Sequence, residues 1–111
     1  MWVASTLSGV GVASGSSLDG CPEALIVTFG DRAPTACRIA ACEVGNKINP
    51  ETGTFDNRLV GSAGEVSLAQ VHPIHFGRYD RQRLIDDEWY VAEVMYELSN
   101  GGSNWRPWSC Y

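Results

Sequence analysis

The segment from Pro34 to Val44 restricts the fold of this 111-residue chain more than any other part of it. It reads PTACRIAACEV, and its apolar residues lie on nearly all sides of an α-helix. A helix of this kind is buried, so the sequence predicts that the other elements pack around it. Glu43 lies at its C-terminal end, where the negative pole of the helix dipole disfavours a charged carboxylate.

Four further helices are predicted, and three of them are indicated by apolar spacing and by residues that favour helix ends. The first begins at Pro22 and ends at Gly30. Residues 80–85 are predicted to form another, short helix. Asp86 or Asp87 caps the last helix, whose apolar residues follow helical spacing: Trp89, Val91, Val94, Met95 and Leu98.

A polar segment rich in turn-forming residues, 46–65, follows the buried helix. We expect Thr54–Phe55 and residues 58–60 to form a short, irregular β-hairpin. Residues 66–70 then lead into a helix near Val71. The predicted fold class is therefore α+β, mainly α, with one short hairpin between helices.

Length and charge limit the class of protein. A chain of this length predicts one domain, residues 21–111, preceded by residues 1–20 as a tail or extension rich in Gly, Ser, Val and Ala. Residues 1–20 lack the basic start of an intact signal peptide, and no apolar run reaches the ~20 residues that span a bilayer. A net charge of −5 argues against nucleic-acid binding, which rewards basic surfaces.

Four cysteines in a small chain predict two disulfides and an oxidising compartment. No Cys-x2-Cys spacing occurs, and His72 and His75 lie far from the cysteines in sequence, so we expect no zinc site. Neither a metal nor an organic cofactor is expected. Four cysteines allow three pairings, and a tight antiparallel hairpin of the first two helices would join Cys21 to Cys42.

Glu43 is the leading candidate for catalysis. Cleavage of a glycosidic bond requires a protonated carboxyl group beside the leaving oxygen, and burial against apolar neighbours favours that protonated form. Glu43 has an apolar helix behind it and a polar segment that can form a cleft after it. Its position therefore favours the role of a general acid.

The order of three motifs resembles the lysozyme-like fold of peptidoglycan-cleaving enzymes, in particular lytic transglycosylases and goose-type lysozymes. That family has a Glu-Ser-Gly step, a Gly-Leu-Met/Phe-Gln segment and an aromatic C-terminal stretch. The resemblance covers roughly residues 22–111. The motifs read here as Glu43-Val44-Gly45, Ser67-Leu68-Ala69-Gln70 and Trp105-Arg106-Pro107-Trp108. Val44 and Ser67 replace the usual serine and glycine, and Ala69 replaces a bulkier residue.

The resemblance implies an enzyme, secreted and extracellular or associated with the cell wall, that acts on peptidoglycan glycan strands. It implies cleavage of the β-1,4 bond between N-acetylmuramic acid and N-acetylglucosamine, with Glu43 as general acid/base. Gln70 would bind an amide-bearing sugar, since its side chain both donates and accepts hydrogen bonds. Tyr90 is expected to line the cleft, Tyr90 or Tyr96 to orient Glu43, and His72 to border the cleft. We expect a monomer with no nucleic-acid or membrane partner.

A second carboxylate would decide the reaction. Glu65 is the leading candidate and Asp56 the second. If either lies across the cleft from Glu43, an activated water can hydrolyse the bond, and the inverting route needs ~6.5–9.5 Å between carboxyl groups. Otherwise the 6-hydroxyl of the muramoyl residue attacks and gives a 1,6-anhydro product.

Features of related chains bear on the cysteines and the aromatic residues of the C-terminal segment. Those chains carry a cysteine next to the glutamate and another near a C-terminal tryptophan. The resemblance therefore implies a Cys42–Cys110 disulfide, which leaves Cys21 with Cys37. The two tryptophans of the last motif are expected to cap the hydrophobic core.

Two other functions compete with catalysis. The first is a glycan-binding module that keeps the cleft but has lost the chemistry, which the replacements at positions 44 and 67 favour. The second is a disulfide-linked interaction domain within a larger assembly. A test of wall lysis separates the first from an enzyme, and the second predicts no saccharide binding.

Overall fold

Residues 18–111 are described by a computed structural model of the protein. The expected tail over residues 1–20 therefore lies almost wholly outside the described residues. Helices dominate the described part, and a two-stranded antiparallel sheet lies between the second and third of them. The four α-helices are α1 (Glu23–Phe29), α2 (Ala33–Glu43), α3 (Arg81–Asp86) and α4 (Glu88–Leu98).

The buried helix predicted over residues 34–44 is confirmed as α2. Pro34 lies in its first turn, where the missing N–H of proline costs no helical hydrogen bond. The predicted end of α1 is also confirmed, because Gly30 follows Phe29 with φ +54°, a conformation that glycine adopts without strain. A 3-10 turn at Gly30–Arg32 joins α1 to α2.

Aspartate caps fix the starts of α3 and α4. The Asp80 carboxylate accepts hydrogen bonds from the backbone N–H groups of residues 82 and 83. Asp87, rather than Asp86, does the same for α4, where it accepts from Trp89 and Tyr90. These caps satisfy donors that would otherwise have no partner in the first helical turn.

The sheet consists of β1 (Ile48–Asn49) and β2 (Thr54–Phe55), with Ile48 opposite Phe55. The prediction that Thr54–Phe55 lies in a hairpin is confirmed, but the predicted partner, residues 58–60, is wrong. The turn forms on the N-terminal side instead. There Gly53 N–H donates to Asn49 O at 2.8 Å, and the Asn49 side chain accepts from Glu51 N–H at 2.9 Å.

The helix predicted near Val71 is also wrong. Val66 and Val71 exchange two backbone hydrogen bonds, of 3.1 and 2.8 Å, which close a tight turn. Ser67 and Gln70 have φ values of +76° and +49°, which no α-helix accommodates. A 3-10 turn at Pro73–His75 follows.

The hydrophobic core lies around α1, which packs against both α2 and α4. Trp105 and Trp108 cap it, as expected, with only 4% and 6% of their surfaces exposed. Their ring centroids lie 5.3 Å apart, and the ring of Trp105 is 5.5 Å from that of Phe29. The largest fully buried side chains come from all parts of the described chain and include Leu25, Ile39, Leu68, Leu84 and Met95.

Two disulfides connect the described elements. Cys21 is bonded to Cys37, and Cys42 to Cys110, so the pairing implied by the resemblance is confirmed. Disulfides of this kind indicate an extracellular or otherwise oxidising environment. None of the helices in residues 18–111 combines the length and the apolar character needed to cross a bilayer.

Candidate active site

Glu43 is the last residue of α2, and its side chain is half-buried. One carboxylate oxygen, Oε2, accepts a hydrogen bond from the backbone N–H of Cys110 at 3.1 Å. The hydroxyl of Ser109 donates to the same oxygen at 3.5 Å. Within the described residues the second oxygen, Oε1, makes no hydrogen bond. The carboxyl group is therefore oriented by the C-terminal segment and keeps one oxygen available.

The disulfide Cys42–Cys110 holds this arrangement covalently. Cys42 directly precedes Glu43, and Cys110 carries the N–H that Glu43 accepts. The same C-terminal segment contacts another part of the chain, because Trp108 Nε1 donates to the carbonyl of Ala69 at 2.8 Å in a buried hydrogen bond. The segment from 105 to 111 thus joins the end of α2 to the turn that carries Gln70.

Glu65 and Gln70 lie together over Gly61. A Cβ atom placed on Gly61 would come within 2.5 Å of Glu65 Oε1 and also within 2.5 Å of Gln70 Oε1. Glu65 Oε1 further accepts from Ala63 N–H at 3.0 Å. Two of the predicted site residues are therefore brought together, and the absence of a side chain at position 61 makes their position possible.

The backbone around Gln70 is held from both sides. Gln70 Nε2 donates to Ser67 O at 2.9 Å and to Leu59 O at 3.2 Å, which leaves Oε1 as the free end of the carboxamide. Ser67 is fully buried, and its hydroxyl accepts from Ala69 N–H at 3.2 Å. Asn57 Oδ1 accepts from the N–H of the intervening leucine at 3.0 Å. The turn is consequently fixed before any ligand binds.

The remaining predicted residues have local structural contacts. His72 Nδ1 accepts from Ile74 N–H at 3.1 Å and so caps the following 3-10 turn. The Tyr90 hydroxyl accepts from Asp80 N–H at 2.9 Å, and the guanidinium of Arg83 lies 4.0 Å from its ring centroid. Among the described residues, the hydrogen bonds to the Glu43 carboxylate come from Ser109 and Cys110, and none comes from His72, Tyr90 or Tyr96. Asp56 Oδ1 accepts from the backbone N–H two residues later at 3.0 Å, within a turn.

A cavity of about 820 Å³ borders α2. Pro34, Arg38 and Ala41 form one wall, and Phe55 contributes to another. Glu43 is not part of its lining, because it follows Ala41 by two residues and therefore points about 200° away around the helix. The candidate catalytic carboxyl thus faces the other side of α2.

A different carboxyl group, which the sequence did not single out, has a raised pKa. Burial raises the pKa of Glu88, and a 3.5 Å hydrogen bond from the Thr54 hydroxyl partly offsets that effect. In contrast, the side-chain hydrogen bond from Gln82, followed by the contact with Arg58, lowers the pKa of Asp86. Glu88 lies at the start of α4, opposite the β-hairpin. Its raised pKa results from tertiary contacts, which the sequence does not show.

Sequence reasoning also missed Gly61, Ser109 and the backbone of Cys110 as parts of the site. The one available signal was the C-terminal cysteine, which the resemblance placed next to Glu43. Comparisons of the chain with protein-family models, with curated proteins and with solved structures find no match.

Proposed function

We propose that the protein is a glycosidase that cleaves peptidoglycan at the β-1,4 bond between N-acetylmuramic acid and N-acetylglucosamine. The observation that carries this proposal is the setting of Glu43: half-buried at the end of α2 and oriented through one oxygen by Cys110 N–H. A general acid must be held in place with one oxygen directed at the leaving group. We propose that Oε1 of Glu43 faces the leaving group, and the hydrogen bond from Cys110 N–H to Oε2 supports this role because it leaves Oε1 free.

In the first step Glu43 donates its proton through Oε1 to the glycosidic oxygen. The bond to the anomeric carbon then breaks with the development of oxocarbenium character on the sugar ring. Because Cys110 N–H and the disulfide hold the carboxyl group from one side, little reorganisation is needed at this step. The resulting carboxylate can accept a proton in the second step.

The attacking group in the second step is either water or the 6-hydroxyl of the substrate. Glu65 is proposed as the second carboxylate of the hydrolytic route because it lies beside the free oxygen of Gln70, the residue proposed to bind the sugar. Without a contribution from Glu65, Glu43 acts alone as acid and then base, and the product is the 1,6-anhydro sugar. Asp56 is the less suitable second carboxylate because it is not among the groups that lie beside Gln70 over Gly61.

Gln70 is proposed to recognise the N-acetyl group. Its Nε2 is bonded to two backbone carbonyls, so Oε1 is the atom that would accept the amide N–H of the sugar. His72 and Tyr90 are proposed only as residues at the border of the site, because their polar atoms already form hydrogen bonds within the protein. The two disulfides are consistent with secretion, where peptidoglycan would be reached from outside the cytoplasm.

An inactive glycan-binding module of the same fold is the second candidate. Two observations favour it. Only the oxygen of the Gln70 carboxamide is free, because its nitrogen already donates to backbone carbonyls. Ser67, with a φ of +76°, occupies the position at which the family that the chain resembles has glycine. A module of this kind would bind glycan strands without cutting them.

Incubation with purified peptidoglycan tests the proposal. We expect the turbidity of the suspension to fall and soluble muropeptides to appear. Their mass identifies the route, because the anhydro product is lighter than the hydrolytic product by one water. Binding to peptidoglycan without release of muropeptides would support the inactive module, and the absence of both would indicate an interaction domain.

A further inference from the structure

A second cavity, of about 400 Å³, lies between the β-hairpin and the junction of α3 with α4. We name it the hairpin–helix cavity. Its volume falls within the range of small-molecule sites. The hairpin contributes Asn49, Glu51 and Thr52, and the start of α4 contributes Glu88 and Trp89.

The walls of the hairpin–helix cavity are connected by hydrogen bonds across elements. Asn57 is 6% exposed, and its side-chain nitrogen donates to the carbonyls of Leu84 and Ile85 at 2.8 and 2.9 Å. Arg58 forms an ion pair with Asp86 at 3.2 Å. These contacts fix the hairpin side against the helix side, so the cavity is preformed.

Trp89 differs from the other tryptophans of the described residues. Trp105 and Trp108 are buried, and each indole N–H donates to a backbone carbonyl, at 2.9 and 2.8 Å. Half of the surface of Trp89 is exposed, at the edge of the cavity, and its indole N–H has no hydrogen-bond acceptor within residues 18–111. An exposed indole provides a flat apolar surface and one donor.

Most charged groups around the cavity are paired, and those that remain disfavour an anion. Carboxylates on both walls disfavour an anion, and the cationic Arg58 is already paired with Asp86. Asp87 is likewise paired, with Arg83 at 3.6 Å, and caps α4. Burial raises the pKa of Glu88. The cavity therefore disfavours the ionised carboxylate, which is the form that would attract a cation.

We propose that the hairpin–helix cavity binds a neutral saccharide ring, whose C–H face stacks on Trp89 while its hydroxyls contact Glu88, Asn49 and Thr52. The ring offers an apolar face and a periphery of donors and acceptors, which matches a flat indole surrounded by carboxyl, amide and hydroxyl groups. This site lies apart from Glu43 and does not require that the chain cleave its ligand.

Titration of an N-acetylglucosamine tetrasaccharide tests the inference. The Glu43→Gln background removes turnover, and chemical-shift changes map where the sugar binds. We expect shifts at Asn49, Thr52 and the Trp89 indole. Trp89→Ala should raise the Kd at this site about tenfold, and Trp89→Phe should restore part of the affinity because it keeps an aromatic face.

Tyr96→Ala is the matched control, because Tyr96 is an exposed aromatic residue of the same helix that lines other cavities. An unchanged Kd in Tyr96→Ala supports the site. Shifts confined to the neighbourhood of Gln70, an unchanged Kd in Trp89→Ala, or no binding would each overturn it. If the wild type cleaves peptidoglycan and Trp89→Ala leaves the Kd unchanged, the result refutes this second site but not the glycosidase. Binding through Trp89 without any cleavage would refute the glycosidase alone.

Discussion

The two disulfides close chain loops of different length, 68 residues for Cys42–Cys110 and 16 residues for Cys21–Cys37. A crosslink stabilises the folded state mainly by restricting the unfolded chain, and the effect grows with the logarithm of the loop length. That relation gives about 4.4 kcal/mol for the longer loop and about 3.1 kcal/mol for the shorter one. We therefore expect Cys42–Cys110 to contribute more to the free energy of unfolding.

The measurement uses two single-disulfide proteins, Cys21→Ala/Cys37→Ala and Cys42→Ala/Cys110→Ala. The free energy of unfolding in urea is determined for each protein in its oxidised and reduced forms. Comparing the two forms of one protein keeps the side-chain volume constant. This matters because Cys21 and Cys37 are buried, and alanine there would leave space in the core.

The difference between oxidised and reduced forms should be larger, by about 1.3 kcal/mol, in the protein that retains Cys42–Cys110. Reduction of that protein should also lower turnover per folded molecule, because Glu43 loses a hydrogen-bond donor that the disulfide holds in place. A larger stabilisation from Cys21–Cys37, or equal turnover before and after reduction of Cys42–Cys110, would refute this reasoning.

Three further predictions concern single side chains. Gly61→Ala places a methyl group where Glu65 Oε1 and Gln70 Oε1 lie, so turnover should fall by a factor of roughly ten or more. The free energy of unfolding should change by less than about 1 kcal/mol. Gly77→Ala should retain turnover, because the new Cβ would meet no described atom within 4 Å other than those of residue 77 and its chain neighbours. Asn57→Ala removes three hydrogen bonds to backbone groups and should cost about 3 kcal/mol in urea unfolding. Glu88→Gln should raise the melting temperature at pH 7 but not below pH 4.5. Because the pKa of Glu88 is raised in the folded state, the protein loses stability as this carboxyl group ionises, and glutamine removes that loss.

Each of these predictions has an outcome that contradicts it. Equal turnover in Gly61→Ala and Gly77→Ala would mean that the groups over Gly61 take no part in the reaction. A loss below about 1 kcal/mol in Asn57→Ala would show that its three hydrogen bonds do not hold the hairpin. If Glu88→Gln lowers the melting temperature at pH 7, or changes it equally at all pH values, burial does not control that carboxyl group.

The helices could be predicted because their signals are local. The apolar residues of α2 surround the helix, and its first turn tolerates Pro34. In α4 the helical spacing of apolar side chains agrees with the capping by Asp87. Periodicity and caps act over a few residues, so a single sequence contains them. The position of Glu43 at the end of α2 followed directly.

The turns and the contacts of the site could not be predicted in the same way. Ser67 and Gln70 adopt positive φ although neither residue type favours it, and their conformation depends on the pairing of Val66 with Val71. The contact between Glu43 and Cys110 joins residues 67 positions apart and involves a backbone N–H, which any residue except proline supplies. The resemblance gave the disulfide, but it did not give this hydrogen bond.

The release of soluble muropeptides from purified peptidoglycan by Glu43→Gln, compared with the wild type, tests the central claim most directly. The amide cannot donate the proton of a carboxylic acid, yet it has nearly the same shape. The rate of muropeptide release should therefore fall by a factor of roughly 10² or more, with little change in melting temperature. Release at the wild-type rate by the folded variant would contradict the assignment of Glu43 as the general acid.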